Sequence, residues 1–263
     1  MTKKRKKLLI AIAIVLFVAG LGFLLFPTIS NSIGQAKANS LIDDFNNTLD
    51  NVIESKSYDE ALEDGEIDSA GYPIDSNGNR TSDSPVVFKA DLDRLYKDSK
   101  AYNASLINHQ GTVDTIDYSS AALNMSNYGL SNVYGYLSAP SIGLNLPIYL
   151  GANSSMMSYG AAHLNNTSLP LDEKNTNCAI AGHTGYIGRI FFDNIRNLKK
   201  GDTVSVKNFW ETIDYEVIDY KTVDPNNTND IYIKSDRRLL TLITCIGRGY
   251  NNFDRYIVIC EKK

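Results

Sequence analysis

The chain has 263 residues, 43% hydrophobic and 10% aromatic, and its net charge is −4. Lys3, Lys4, Arg5, Lys6 and Lys7 supply +5 at the N-terminus, so everything after them carries −9. A surface of that sign is not built to hold nucleic acid or anionic lipid. Fifteen of the thirty carboxylates fall between Asp43 and Asp98, which leaves the C-terminal half nearer neutral and marks it as the place for a core.

Leu8 to Phe26 are nineteen uncharged positions. As a helix rising ~1.5 Å per residue they nearly match a hydrocarbon layer of ~30 Å. The basic cluster ahead of them keeps the N-terminus cytoplasmic and sends the rest outward. Ala36-Lys37-Ala38 loosely mimics a signal-peptide cleavage site, but it lies too far beyond too long a run, so the segment reads as a retained single-pass anchor.

Leu41, Ile42, Phe45, Leu49, Val52 and Ile53 recur at helical spacing and predict an amphipathic helix rising from the bilayer. Residues 57–87, rich in Gly, Ser, Asn and Asp, predict a loop or short hairpin insertion. Asp91 to Gln110 reads as helix, with Leu92, Leu95, Tyr96, Tyr102 and Leu106 in one stripe.

From Val133 the period changes to two. Strands are predicted at 133–138, 144–150, 178–182, 203–207, 212–223, 239–244 and 255–260, with one amphipathic helix bearing Ile190, Phe191, Ile195 and Leu198. So many short strands in about 130 residues imply a closed barrel or a sandwich, because an open sheet would expose sticky edges. The connections at 224–236 and 246–254 border whatever binds near Cys245.

Three cysteines in an exported chain leave at least one thiol unpaired unless it bridges to another chain. Cys178 and Cys260 each lie five residues from the candidate site, about 16 Å along a strand, and read as buried thiols. A Cys178–Cys260 disulfide requires those two strands to be neighbours. With three histidines and no CxxC there is no zinc spacing, and no calcium loop is evident, so no metal or organic cofactor is called for.

Cys245 closes the apolar run Leu239-Leu240-Thr241-Leu242-Ile243-Thr244, His183 follows Ala179-Ile180-Ala181-Gly182, and Arg255 opens Tyr256-Ile257-Val258-Ile259. This places three reactive side chains at three strand ends. A thiol is only slightly ionised at neutral pH and needs an imidazole or guanidinium to favour the thiolate. A guanidinium can also hold the oxyanion formed by attack on a carbonyl, and an imidazole can protonate the expelled amine. Taken singly, each has an ordinary reading: a buried thiol, a turn histidine, a surface ion pair. Arg248 is a weaker rival to Arg255. His163 reads as structural, and His109 as a surface residue near a helix end.

Thr241-Leu242-Ile243-Thr244-Cys245, Ala181-Gly182-His183-Thr184-Gly185 and Arg255, in the order His, Cys, Arg, resemble the motifs of the sortases, membrane-anchored cysteine transpeptidases of Gram-positive cell surfaces. The resemblance runs from about Tyr134 to Val258. The segment from Ala162 to Pro170 and the helix-rich region before the barrel are most similar to class C, the pilin-polymerising group. It implies a mainly β fold, a closed eight-stranded barrel with few short helices, preceded by a helical region and the membrane helix. The implied division is a basic tail at 1–7, the anchor at 8–26, a helical, lid and spacer region at 27–130 and the catalytic barrel at 131–263.

It further implies that Cys245, His183 and Arg255 are catalytic, with Thr244 in support. The substrate would be an LPxTG-like sorting signal cleaved between Thr and Gly, its acyl group passing to a pilin lysine or a cell-wall precursor amine. Class C members close the site with a lid bearing Asp-Pro-aromatic. Here the matching stretch is Val113-Asp114-Thr115-Ile116-Asp117-Tyr118, so Asp114, Asp117 and Tyr118 are the lid candidates and the proline is missing. Class C members also often end in a second membrane segment, whereas this sequence stops at Lys263. Two rival readings use the same residues: a surface cysteine hydrolase passing the acyl group to water, and an anchored β-barrel interaction module in which Cys245 is inert.

Overall fold

A computed structural model describes residues 3–108, 120–151, 157, 160–185, 190–249 and 252–263. Helix α1 spans Lys3–Asp50 as one element that runs through Pro27. Proline withholds one N–H from the carbonyl four residues back, a loss that apolar spanning helices tolerate. The apolar run and the amphipathic stretch are therefore continuous, and the helix is long and apolar enough to cross a membrane by length and composition. Its far half docks on the body. Gly34, Ala38, Ile42 and Phe45 are buried at helical spacing, and the two small residues let the helix approach closely. Gln35 Nε2 donates to the Asn145 carbonyl at 3.2 Å, Lys207 Nζ donates to Asn46 Oδ1 at 2.9 Å, and the Phe45 ring lies 4.9 Å from that of Phe209.

Val52 and Ile53, whose spacing predicted that they belong to that helix, instead leave it, because α1 ends at Asp50. They form β1 (Val52–Ile53), paired parallel with β2 (Val87–Phe88). This pairing stitches the insertion shut at its base. Within it α2 (Tyr58–Glu63) starts at a capping box of Ser57 and Glu60. Two bridges, Ile67 to Pro73 and Ile74 to Arg80, make the expected hairpins. Helix α3 (Lys89–Leu106) buries Leu92, Leu95 and Leu106 as predicted, though Tyr96 is more exposed. It is tied to the barrel by Asn103, whose Oδ1 accepts from the Leu169 N–H at 2.7 Å while Nδ2 donates to the Leu169 carbonyl at 3.1 Å.

The body is a closed eight-stranded barrel. Its strands are β3 (Val133–Ala139), β4 (Leu144–Leu150), β5 (Ala161–His163), β6 (Thr176–Ala181), β7 (Thr203–Asn208), β8 (Thr212–Val223), β9 (Arg238–Gly249) and β10 (Asn252–Lys262). The order around the barrel is β10-β8-β7-β3-β4-β5-β6-β9. Closure leaves no free edge. Leu137, Ile148, Ile180, Val206, Leu242 and Val258 fill the interior.

Two expectations are corrected. Residues 246–249 and 252–254 are strand rather than loop, because β9 and β10 pair through Gly247, Gly249, Asn252 and Phe253, residues whose weak strand preference is overridden by cross-strand bonding. Arg248 accordingly lies on a strand. The expected helix over Ile190–Leu198 is, among the described residues, a single 3-10 turn at Ile195–Asn197. Phe191 and Phe192 are consecutive and both buried while Ile190 is exposed, so burial does not follow the predicted helical stripe. Cys178 and Cys260 are both free and buried, as expected. Each pairs with Leu240, from opposite sides of β9. Two strand spacings, about 10 Å, exceed the ~7 Å that a disulfide spans.

Strands β6 and β9 run parallel to each other, while β5 runs parallel to β4 and antiparallel to β6. Their C-terminal ends therefore point to the end of the barrel where β4 begins. That is also where Gln35 of α1 meets Asn145. The end carrying Cys245 and the residues after β6 is thus the end from which α1 leaves toward its apolar segment.

Candidate active site

Alternation along β9 decides which side chains face out. Leu240 and Leu242 point into the barrel with Ile180 and Val258, so Thr241, Ile243 and Cys245 point outward. Cys245 sits inside the long β9 rather than at its end, with the strand fixing its backbone on both sides, and it is exposed. Arg255 is its direct register partner on β10. The Arg255 Nη1 donates to Cys245 Sγ at 2.9 Å. A guanidinium N–H aimed at sulfur stabilises negative charge there.

His183 follows β6 by two residues, as Cys245 stands two residues beyond Ile243, the partner of Ala181. The two strands stay together past that pair. Gly182 N–H donates to the Ile243 carbonyl at 3.1 Å, and Thr244 Oγ1 donates to the Gly182 carbonyl at 2.7 Å. Cys245 and Arg255 are thus neighbours across β9 and β10, and His183 follows two residues after the Ala181–Ile243 pair that joins β6 to β9. Thr244 faces inward, and its hydroxyl also lies 2.5 Å from that of Thr184, pinning the chain on both sides of His183. Position 182 needs glycine because a Cβ there would stand 2.6 Å from the Phe192 ring. The His183 carbonyl accepts from Phe192 N–H at 2.9 Å, and the imidazole meets Phe191 edge-on at 6.2 Å between centroids. Half-burial holds the His183 pKa below the ordinary 6.5 by penalising the charged ring.

On the outer face, Ala179, Ala181 and Ile243 pack with Ala162 and Leu164, and with Ile231 and Tyr232 of the 224–237 connection. That connection is held by Asn177 Nδ2, which donates to the carbonyls of Asp230 at 2.8 Å and Tyr232 at 3.1 Å. An apolar patch is thus packed beneath the connection that runs beside the strand carrying Cys245.

His163, Cys178 and Cys260 are buried away from this site. His163 is fully buried, its Nε2 at 3.1 and 3.0 Å from the carbonyls of Thr167 and Ser168, and burial pushes its pKa down to about 4, so it stays neutral. Burial pushes the Cys260 thiol up to about 12 and raises that of Cys178 as well, which keeps both protonated and inert. Asp114, Asp117, Tyr118 and His109 lie outside the described residues. No cluster of metal ligands occurs among the described residues. Thr184 and Phe192 were not singled out beforehand. Thr184 adjoined the histidine in the motif, whereas nothing in the sequence marked Phe192.

A thiol held outward on a closed barrel against a guanidinium is the arrangement a cysteine nucleophile needs. A family model described as the sortase domain matches residues 137–263. Sortase A of Listeria monocytogenes is 29% identical over 169 residues, 61% of this chain and 74% of that protein. Among solved structures, a pilus-related sortase C of Group B Streptococcus is 33% identical with a TM-score of 0.57, covering 66% of this chain and 90% of that one. Sortase C-1 of Streptococcus pneumoniae is 30% identical with a TM-score of 0.58, covering 66% and 91%. The chain belongs to the sortase family of cysteine transpeptidases and is most like class C.

Proposed function

We propose that the protein is an extracellular, single-pass membrane transpeptidase that cleaves an LPxTG-like sorting signal and transfers its acyl part to an amine. The observation that carries this reading is the outward Cys245 sulfur with the Arg255 guanidinium at 2.9 Å. Cys245 attacks the Thr carbonyl carbon while His183, kept neutral by burial, takes the thiol proton. Arg255 turns from the sulfur to the oxyanion, which then carries the charge. The C–N bond to glycine breaks as His183 returns the proton to the leaving nitrogen, giving a thioester on Cys245. An incoming amine attacks that thioester, His183 takes its proton, and the thiol leaves with an isopeptide or peptide bond formed.

The Lys3–Lys7 cluster favours a cytoplasmic N-terminus, with the division at 1–7, 8–26, 27–130 and 131–263. Because the site lies at the barrel end from which α1 departs, it suits substrates that are themselves tethered to the membrane. The class C neighbours, one of them pilus-related, favour a pilin lysine over a cell-wall precursor as the acceptor.

The test is product analysis of the purified full chain with an LPxTG peptide at increasing concentrations of Nα-acetyl-lysine amide. The expected result is an amine-linked product that grows at the expense of the free acid. Free acid alone at every amine concentration would make the protein a hydrolase.

A further inference from the structure

Helix α1 limits how far the barrel stands from a bilayer. Ser30 and Asn31 are the first of the described α1 residues to be half-buried, and Gln35 is bonded to Asn145 at the start of β4. A helix rises ~1.5 Å per residue, so Ser30 and Gln35 stand no more than ~6 and ~14 Å beyond Phe26, where the apolar run ends, and any tilt of the helix lowers them. A headgroup layer is itself ~5–8 Å deep. The barrel end that carries Cys245, which is the end where Gln35 docks, therefore meets that layer with little water between.

The same end shows the large apolar side chains of the barrel. Among the described residues of 133–263, the strongly exposed ones are Ile190, Tyr220 and Phe253, at 47%, 44% and 47%. Phe253 lies on β10 two residues outside Arg255, and Tyr220 lies on β8 three residues before Val223, the register partner of Arg255. Ile190 stands two residues before Phe192, whose N–H is bonded to the His183 carbonyl. Three separate segments thus bring apolar surface to one end, and such a gathering marks an interaction surface. Trp210, the one tryptophan of the chain, stands at the other end, just past β7 and beside the start of β3, packed on Tyr96 and Tyr134. Because α1 already holds the catalytic end beside the bilayer, lipid is the partner this surface meets, and aromatic and aliphatic side chains suit the interface without any charge on the lipid.

We propose that the catalytic end of the barrel rests on the outer leaflet through Ile190, Tyr220 and Phe253, so that Cys245 works at the lipid surface. This inference rests on α1 spanning the membrane with the barrel outside. It does not rest on the reaction assigned to Cys245. The test places the full chain in phosphatidylcholine vesicles whose acyl chains are brominated near the headgroup and reads tryptophan emission from Phe253→Trp and Ile190→Trp, each combined with Trp210→Phe. Circular dichroism against the wild type shows that a variant folds, and two probe positions keep the test usable if one does not.

Apolar side chains at an interface lie ~5–10 Å deep, in contact with such bromines, so emission of each introduced indole is expected to fall at least about twofold while Trp210 of the wild type keeps its emission. An indole in a folded variant that is quenched by aqueous acrylamide alone, or by neither quencher, overturns the proposal, as does equal lipid quenching of Trp210. Flotation of the wild type with the vesicles checks the anchor separately: a chain left in the aqueous phase removes the reading beneath the proposal.

Discussion

Replacing Arg255 by alanine is expected to lower kcat/KM for peptide transfer by ~10²–10³, the usual consequence of deleting one oxyanion donor. The loss should fall mainly in kcat. The guanidinium is paired with Cys245 Sγ before substrate arrives, so its decisive contact is made as charge moves onto the carbonyl oxygen rather than in the bound substrate. Arg255→Lys should recover only part of the activity, since an ammonium is a point charge and cannot present a planar fork to sulfur and oxygen together. The backbone at 255 is held by pairing to both β8 and β9, so the strand should survive either change. Steady-state kinetics settle it: a loss below about tenfold in Arg255→Ala would place the guanidinium outside the reaction.

The second large effect is at His183. Removing the only group at the site that can carry a proton in both directions should cost ~10²–10⁴ in kcat. The pH profile gives a sharper test. Burial lowers the His183 pKa, so the neutral, proton-accepting ring persists to lower pH than in a free histidine. The acid limb of kcat/KM should therefore fall below pH 6.5, with activity lost as pH drops through the lowered value. In His183→Ala the residual activity should lack that limb. A wild-type limb above 6.5, or an unchanged limb in the variant, would contradict the assignment.

Much of this site was legible in the sequence because it depends on strands whose side chains declare them. The β-branched run from Leu239 to Thr244 fixes which residues alternate inward, and Cys245, His183 and Arg255 are chemically conspicuous beside such runs. What stayed hidden depends on contacts distant in sequence. Strand β5 has three residues, too few for a period to show. The β9–β10 hairpin continues through glycines and asparagine that only cross-strand bonding holds extended. For that reason Cys245 and Arg255 looked like residues at separate strand ends, whereas they are a register pair.

The false helix at Ile190–Leu198 arose because apolar spacing cannot distinguish a helical face from an irregular segment plugging a barrel with Phe191 and Phe192. Pro27 looks like a boundary on paper. Docking of Ala38, Ile42 and Phe45 onto the body belongs to the same continuous helix as the apolar segment.

The central claim is that one of three thiols is the nucleophile, the one held outward on β9 against a guanidinium. Intact-mass analysis of the full chain incubated with a sorting peptide, followed by proteolytic mapping of the modified residue, tests it most directly. A single acyl group on Cys245, unmodified Cys178 and Cys260, and no adduct on Cys245→Ala are the predicted results. An acyl group mapped to either buried thiol, or an adduct that persists on Cys245→Ala, would contradict it.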